Sequence, residues 1–253
     1  MESVACFTRD DLIHTYRRLV VPANTVITGV GDMDVVQAMQ RITELFGKIP
    51  AKQFDPPPVP AEKPLKQVKE KTVKIPRAKA HLVVGFGGST FKDEDRYPLA
   101  VLNNALAGQG GRLFFQLRDK ESLAYIVTSM FRPGMDPGLF AFYIACDASK
   151  IDQAVQSLFR EIREARQNPL SDEELNRSKE NLIGNHLINL QSSWSRAENT
   201  VLNTLYGLGY DYDKIYIKRL SEVKADQVLA VAKKYLDPDR CAIVKILPEE
   251  NEK

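Results

Sequence analysis

The sequence predicts an α+β fold for residues 67–253, with a mixed, mostly antiparallel sheet of about five or six strands and helices packed on one face. Strand-like runs occupy the first half of this region, whereas the part after residue 151 is mostly helical and ends in one more strand. Hydrophobic residues make up 43% of the 253 residues and charged residues 27%, which is the balance of a globular protein that buries a core.

Residues 1–50 carry the pattern helix, strand, helix. Thr8 and the acids that follow it predict the start of the first helix, which Pro22 ends. The β-branched run at 25–30 predicts a buried strand, and a second helix follows and ends near Gly47. The apolar residues of that second helix share one face: Val35, Met39, Ile42 and Phe46.

Residues 51–66 differ in composition from both neighbouring regions. Six prolines fall between Pro50 and Pro64, and few residues there can contribute to a core. Such a segment is stiff, extended and exposed, so we interpret it as a linker. It separates residues 1–50 from a complete domain at 67–253.

The elements of the complete domain follow in chain order. Strands are predicted at 67–74 and 80–85, a helix at 95–107, and a hairpin from strands at 125–131 and 139–146. Ser171 and Glu174 have the spacing of a capping box, which begins a helix. The remaining prediction is of helices at 172–192, 195–207 and 224–236 and a last strand at 241–247.

A glycine cluster, a short helical segment and a tight turn connect the helix at 95–107 to the strand at 125–131. Arg118 lies at the end of that short segment and Tyr125 at the start of the strand, so both can face the same point in space. Composition alone favours simpler roles for the pair. Arg118 would be a solvated residue that complements the helix dipole, and the ring of Tyr125 would lie in the core.

The two ends of the chain resemble each other. Sliding Asp10 onto Asp226, an offset of 216 residues, also places Pro22 on Pro238 and Ile27 on Ile243. Both copies have the pattern helix, proline, strand, although such units are common enough for chance to be the alternative explanation. A true repeat means that residues 1–50 close a preceding domain that is incomplete here.

Charge and composition exclude several classes of partner. A net charge of +2 is too small to predict binding to nucleic acid or an anionic membrane surface. No apolar run approaches the roughly 18 residues that cross a bilayer, so we expect no membrane insertion. The first residues lack a basic region followed by an apolar core, so no export signal is predicted and the compartment stays open.

We expect no metal site in this chain. His14, His81 and His186 stand alone, and none has a second histidine or a Glu-His pair at the spacing of a helical metal site. The three cysteines are scattered and are interpreted as core residues or free thiols. Gly29 and Gly31 suggest a dinucleotide fingerprint, but Asp34 stands at its third glycine and would repel a pyrophosphate.

The order of motifs resembles the pitrilysin/insulinase family of zinc metallopeptidases, the inverted zincins. Residues 8–12 are similar to the family's T-x-x-D-L helix, and residues 22–24 to its P-x-N turn. Residues 30–32 are similar to its V-G-D strand end, and residues 46–50 to its F-G-x-I-P motif. The family's glycine-rich turn, S-R-L-F-x-x-L-R and L-A-Y are similar to residues 110–118 and 123–125, with Gly111 where serine is frequent. The resemblance covers nearly the whole chain, and Arg118 with Tyr125 is its most specific part.

The resemblance implies one half of a clamshell whose zinc site is elsewhere. The family's H-x-x-E-H motif and later glutamate belong to the first domain and are absent from this sequence, so zinc is expected in a complementary half. By resemblance, Tyr125 and Arg118 reach from the second domain across a chamber into that site. Tyr125 is then the donor to the oxyanion, and Arg118 positions the peptide substrate.

Two functions follow from this resemblance. The first is the non-metal half of a zinc endopeptidase, inactive alone, with peptides and an HxxEH-bearing domain or subunit as partners. The alternative is a catalytically inactive scaffold or assembly subunit of the same fold. The presence of both Arg118 and Tyr125 favours the first. Residues 25–30 lack their natural sheet, so we expect this strand either to pair with another copy of the chain, which would make a homodimer, or to lie on the sheet edge of the complete domain.

Overall fold

The computed structural model of the protein describes residues 2–54, 62–108 and 110–249, and the chain forms two compact units. We call residues 61–186 and 214–253 the sheet unit, because they contain all the strands given below. Residues 1–60 and 187–213 are called the helical unit. The predicted division into 1–50, 51–66 and 67–253 stays a prediction, and positions 55–61 lie outside the described residues.

One five-stranded sheet organises the sheet unit. Its strands are β1 (Lys69–Ile75), β2 (Ala80–Gly87), β3 (Ala124–Arg132), β4 (Leu139–Cys146) and β5 (Ala242–Pro248). They are ordered β1-β5-β2-β4-β3, and only the pair β1–β5 is parallel. The predicted mixed, mostly antiparallel sheet is therefore confirmed for the described residues.

In the part of the chain that the structure describes, five α-helices lie wholly or mostly in the sheet unit. They are α4 (Arg96–Leu106), α5 (Ile151–Gln167), α6 (Asp172–Asn189), α8 (Tyr212–Ser221) and α9 (Ala225–Tyr235). The bounds of α4, α6 and α9 agree with the predicted ones to within a few residues. Helix α5 lies in the region predicted to be mostly helical without stated bounds, and α8 was not predicted. Tyr212 and Ile215 are poor helix formers, and packing decides this segment, because Leu220 is fully buried.

The core of the sheet unit lies between one face of the sheet and the helices α4, α5 and α9. Alternate residues of two neighbouring central strands supply its sheet side, as the period of two in a strand requires: Leu82, Val84, Phe86, Phe140, Phe142 and Ile144. The α+β prediction with helices on one face of the sheet is confirmed.

The helical unit contains α1 (Glu2–Ala5), α2 (Arg9–Leu19), α3 (Val35–Phe46) and α7 (Ser193–Leu205). The predicted start of α2 is confirmed, because Thr8 and Asp11 form a reciprocal capping box. Helices α2 and α3 are amphipathic, yet neither buries a residue. Their apolar faces are therefore exposed in the described chain.

The predicted strand at 25–30 is wrong for this structure. The segment is extended but pairs with no strand among the described residues. A β-branched composition favours an extended backbone, whereas a strand also needs a neighbour to hydrogen-bond with. Thr28 instead donates its hydroxyl to the carbonyl oxygen of Ala197 at 3.1 Å.

No helix in the described ranges combines the length and the apolar character that crossing a bilayer demands.

Candidate functional site

The corner between α4 and β3, residues 107–125, begins with a close backbone approach at Gly111. A Cβ atom there would lie 2.2 Å from the carbonyl oxygen of Ala107 and 2.5 Å from that of Leu106. Only glycine fits such a position, so the chain can turn back tightly after α4. This explains why the glycine cluster marks the start of the corner.

A single π-helical segment, Phe114–Lys120, follows the glycine turn. Leu113 and Leu117 are fully buried and anchor it to the core, whereas Arg118 is exposed. Short π-helical segments are frequent at functional sites. The predicted short helix is present, but its hydrogen-bond pattern widens to i→i+5, which the apolar spacing does not reveal.

The chain then reverses at Ser122, whose φ of 50° lies in the left-handed region. The amide of Leu123 donates to the carbonyl oxygen of Leu117 at 2.8 Å, which closes the end of the segment. Lys150 donates from its ammonium group to the carbonyl oxygen of Ser122 at 2.9 Å. Three residues are thus enough to pass from helix to strand.

Tyr125 is the extra residue of a β-bulge. Ala124 pairs with Cys146 and Ile126 pairs with Ala145, so that Tyr125 has no partner on β4. Tyr125 and Ile126 are consecutive and both exposed, at 52% and 53%, which a regular strand with one buried face would not allow. The interpretation of Tyr125 as a core residue is therefore wrong.

Arg118 and Tyr125 have different surroundings. The guanidinium of Arg118 lies 4.7 Å from the ring centre of Phe114, and none of the described carboxylates pairs with it. The hydroxyl of Tyr125 donates to Asp147 at 3.0 Å, and the ammonium of Lys79 lies 4.0 Å above its ring. Both predicted residues are thus on the surface at one corner, and their joint action stays a prediction.

Glu121 fixes this corner to α5. Its carboxylate accepts from the hydroxyl of Ser157 at 2.5 Å and from the guanidinium of Arg160. Sequence reasoning missed Glu121, Lys79 and Asp147. No local pattern marked the last two, because only the pairing of Ala80 with Cys146 brings the residues just outside both strands to the same end of the sheet.

No group of three or more His, Cys, Asp or Glu residues in the described ranges is arranged to hold a metal ion. The Nδ1 atom of His81 lies 2.8 Å from the hydroxyl of Tyr143, and the ring of His186 packs 4.8 Å from that of Tyr216. These histidines belong to separate local contacts. The residues described here do not fit a zinc site of the family's kind.

Residues 7–182 match the family model described as the peptidase M16 inactive domain. The chain belongs to the peptidase M16 inactive domain family. This confirms the resemblance to zinc metallopeptidases that the motifs predicted.

Similar proteins agree with this assignment. An uncharacterized zinc protease of Streptomyces coelicolor is 27% identical over 93% of this chain and 53% of its own length. The uncharacterized zinc protease YmxG of Bacillus subtilis is 28% identical over 99% of this chain and 60% of its own. The chain thus spans a little over half the length of these curated relatives.

The fold also occurs in solved structures. A peptidase M16 inactive domain from Pseudomonas fluorescens superposes with a TM-score of 0.88 and 22% identity, over 100% of this chain and 60% of that one. A protease from Helicobacter pylori gives a TM-score of 0.88 at 19% identity. At these identities the likeness shows the fold alone.

One ion pair ties the glycine turn of this M16 inactive domain to the start of α6. Arg112 donates to both carboxylate oxygens of Glu174, at 2.5 and 2.6 Å, and both side chains are 19% exposed. The hydrogen bonds from Arg112 lower the pKa of Glu174 to about 2, and the amide of Ser171 adds to this effect while burial opposes it. The ionised pair therefore stabilises the folded state.

We predict that Glu174→Gln lowers the free energy of unfolding by about 1–2 kcal/mol near pH 7, because the half-buried guanidinium of Arg112 loses its partner. The pKa of Glu174 is lowered from 4.5, so this contribution is complete above about pH 4.5 and declines as the pH falls towards 2. Urea unfolding followed by circular dichroism at several pH values measures both effects. Glu173→Gln, at a carboxylate that is 89% exposed, should change stability by less than about 0.5 kcal/mol.

We predict that Ser122→Gly is more stable than Ser122→Ala by about 0.5–1 kcal/mol, since glycine adopts a positive φ without the clash that a Cβ atom causes. Both variants remove the hydroxyl, so the comparison isolates the backbone. Urea unfolding measures the difference. Equal stabilities would contradict a left-handed conformation at this residue.

Proposed function

We propose that this chain is the non-metal half of a zinc endopeptidase. It binds a peptide and supplies Arg118 and Tyr125 to the transition state of hydrolysis at a zinc site that another domain or subunit holds. The observation that carries the proposal is the corner itself, where a π-helical segment anchored by buried Leu117 and a β-bulge direct a guanidinium and a phenol to the surface.

The chemistry of the two groups suits this role. Peptide hydrolysis develops negative charge on the carbonyl oxygen, and a preorganised donor aimed at that oxygen is typically worth about 3 kcal/mol. The hydroxyl of Tyr125, which donates to Asp147 in the free chain at 3.0 Å, can supply such a hydrogen bond once it turns to the substrate. The planar fork of Arg118 has no carboxylate partner among the described residues, so it is available to a substrate carbonyl, and lysine would not reproduce its geometry.

The internal repeat supports a complementary half as partner. In the sheet unit, α9 buries Val228 against its neighbours and β5 lies between β1 and β2. The equivalent residues of the first copy lack such partners, because Leu12 on α2 is exposed and Ile27 belongs to no strand. We propose that the helical unit completes an α+β half that provides these partners and carries the HxxEH motif.

A second copy of the chain is the alternative partner for residues 25–30. Its own sheet already has β5 in the position between β1 and β2, so it offers no equivalent vacancy for residues 25–30. This favours the complementary half over a homodimer. The proposal assigns the zinc to that half, and it is supported by the lack of a metal-holding group of His, Cys, Asp or Glu among the residues that the structure describes.

The catalytic proposal predicts that Tyr125→Phe and Arg118→Ala each lower kcat/KM about 100-fold when the chain is combined with an HxxEH-bearing half. The loss arises because each variant removes one charge-stabilising donor. Cleavage of an internally quenched peptide measures the rate. The chain alone should cleave nothing, with or without added zinc.

Two other exposed residues serve as matched controls. Tyr210→Phe and Arg163→Ala make the same chemical changes and should leave kcat/KM unchanged. Unchanged rates in the Tyr125 and Arg118 variants would leave the scaffold as the remaining function of this fold.

The partner proposal predicts that Met39→Glu weakens association with a separately supplied HxxEH-bearing half at least tenfold. Met39 lies on the exposed apolar face of α3, and a buried carboxylate without a partner opposes docking. Isothermal titration calorimetry measures the Kd. Gln37→Glu, on the polar face of the same helix, is the control, and equal effects of the two variants would contradict docking through the apolar face.

A further inference from the structure

Three side chains from separate parts of the sequence meet at one end of the sheet. Lys79 immediately precedes β2, Asp147 immediately follows β4, and Tyr125 stands at the bulge of β3. Ala80 pairs with Cys146, and Cys146 with Ala124, so the sheet brings all three ends together. We call these residues the Lys79–Asp147–Tyr125 cluster.

Each member of the cluster contacts the other two. The ammonium of Lys79 donates to one carboxylate oxygen of Asp147 at 2.8 Å, and the hydroxyl of Tyr125 donates to the other at 3.0 Å. The same ammonium lies 4.0 Å over the ring of Tyr125. The phenol is therefore held at its oxygen and at its ring face at once.

We propose that Asp147, held in place by Lys79, is a positioning residue for Tyr125. This inference rests on the proposed function, in which Tyr125 is the donor to the oxyanion. The carboxylate keeps the phenol in one orientation before substrate arrives, so that turning the hydroxyl to the carbonyl oxygen needs no search among rotamers.

The chemistry of the cluster explains why both partners are needed. A bulged tyrosine lacks a cross-strand neighbour to restrict its side chain, and its hydroxyl carries one donor hydrogen. Asp147 alone would place a negative charge near a developing oxyanion. The ammonium of Lys79 offsets that charge and, as a hydrogen-bond donor, holds the pKa of Asp147 below its ordinary value, with the hydroxyl of Tyr125 acting in the same direction.

The cluster is poorly suited to a role in stability. The side chains of Lys79 and Asp147 are 44% and 41% exposed, and ion pairs of that exposure contribute little to the free energy of unfolding. Its removal should therefore alter the placement of the phenol without unfolding the chain. This separates a positioning role from a structural one.

The test uses the chain with its nine tyrosines replaced by 3-fluorotyrosine, and each labelled residue gives a fluorine resonance. The resonance of Tyr125 is assigned as the one that disappears in Tyr125→Phe. Asp147→Ala should shift or broaden the Tyr125 resonance and leave the others in place. With an HxxEH-bearing half, the same variant should lose about tenfold in kcat with KM changed less than about twofold. Asp147→Asn keeps an acceptor oxygen and should lose less, and Lys79→Met should resemble Asp147→Ala.

The control is Asp136→Ala, at an exposed aspartate in the β3–β4 loop, which should leave both the Tyr125 resonance and kcat unchanged.

An Asp147→Ala variant whose Tyr125 resonance or kcat equals that of the wild type would overturn the inference. A rise in kcat would also overturn it, because the carboxylate would then be keeping the phenol away from the substrate. A loss in Tyr125→Phe without one in Asp147→Ala refutes the positioning role alone. If Tyr125→Phe loses no kcat, the proposed function is refuted. In that case the resonance remains a separate test, because an unshifted Tyr125 resonance in Asp147→Ala refutes the positioning role of Asp147.

Discussion

The ladder between β3 and β4 gains one residue at Tyr125, and the candidate site depends on this bulge. A regular strand would alternate the side chains after Ala124 and turn one of each pair into the core. The bulge leaves Tyr125 without a cross-strand partner on β4 and exposes its side chain beside that of Ile126. The side chain that the resemblance identifies as functional is thereby at the surface, at the end of the sheet where β2 begins and β4 ends.

The surroundings of the corner divide into two kinds of interaction. Buried Leu113 and Leu117 and the half-buried pair Arg112–Glu174 fix the backbone, and their loss lowers stability. Exposed contacts, such as Lys79 with Asp147, orient a side chain and add little to the free energy of unfolding. A preorganised site combines a rigid frame with side chains that supporting hydrogen bonds hold in place.

The helical unit presents the opposite situation. Its helices begin at good caps, Thr8 and Asp34, yet they bury almost nothing. The caps fix where α2 and α3 begin, but helices of 11 and 12 residues are only marginally stable in isolation, so they need apolar surface from elsewhere to pack against. The segment at 225–248 has the same helix–proline–strand pattern, and there α9 and β5 are both packed.

The sequence by itself determined the α+β class, most of the helices and strands, and the choice of Arg118 and Tyr125 as candidate residues. These depend on local periodicity, caps and a short motif. The capping boxes at Thr8 and Ser171 illustrate this, since their partners lie three residues away. Only the tertiary structure decided that residues 25–30 form no strand, that Tyr125 stands at a bulge, and that Lys79 and Asp147 hold it. Each of these depends on pairing between strands that are distant in sequence, and local composition carries no record of that register.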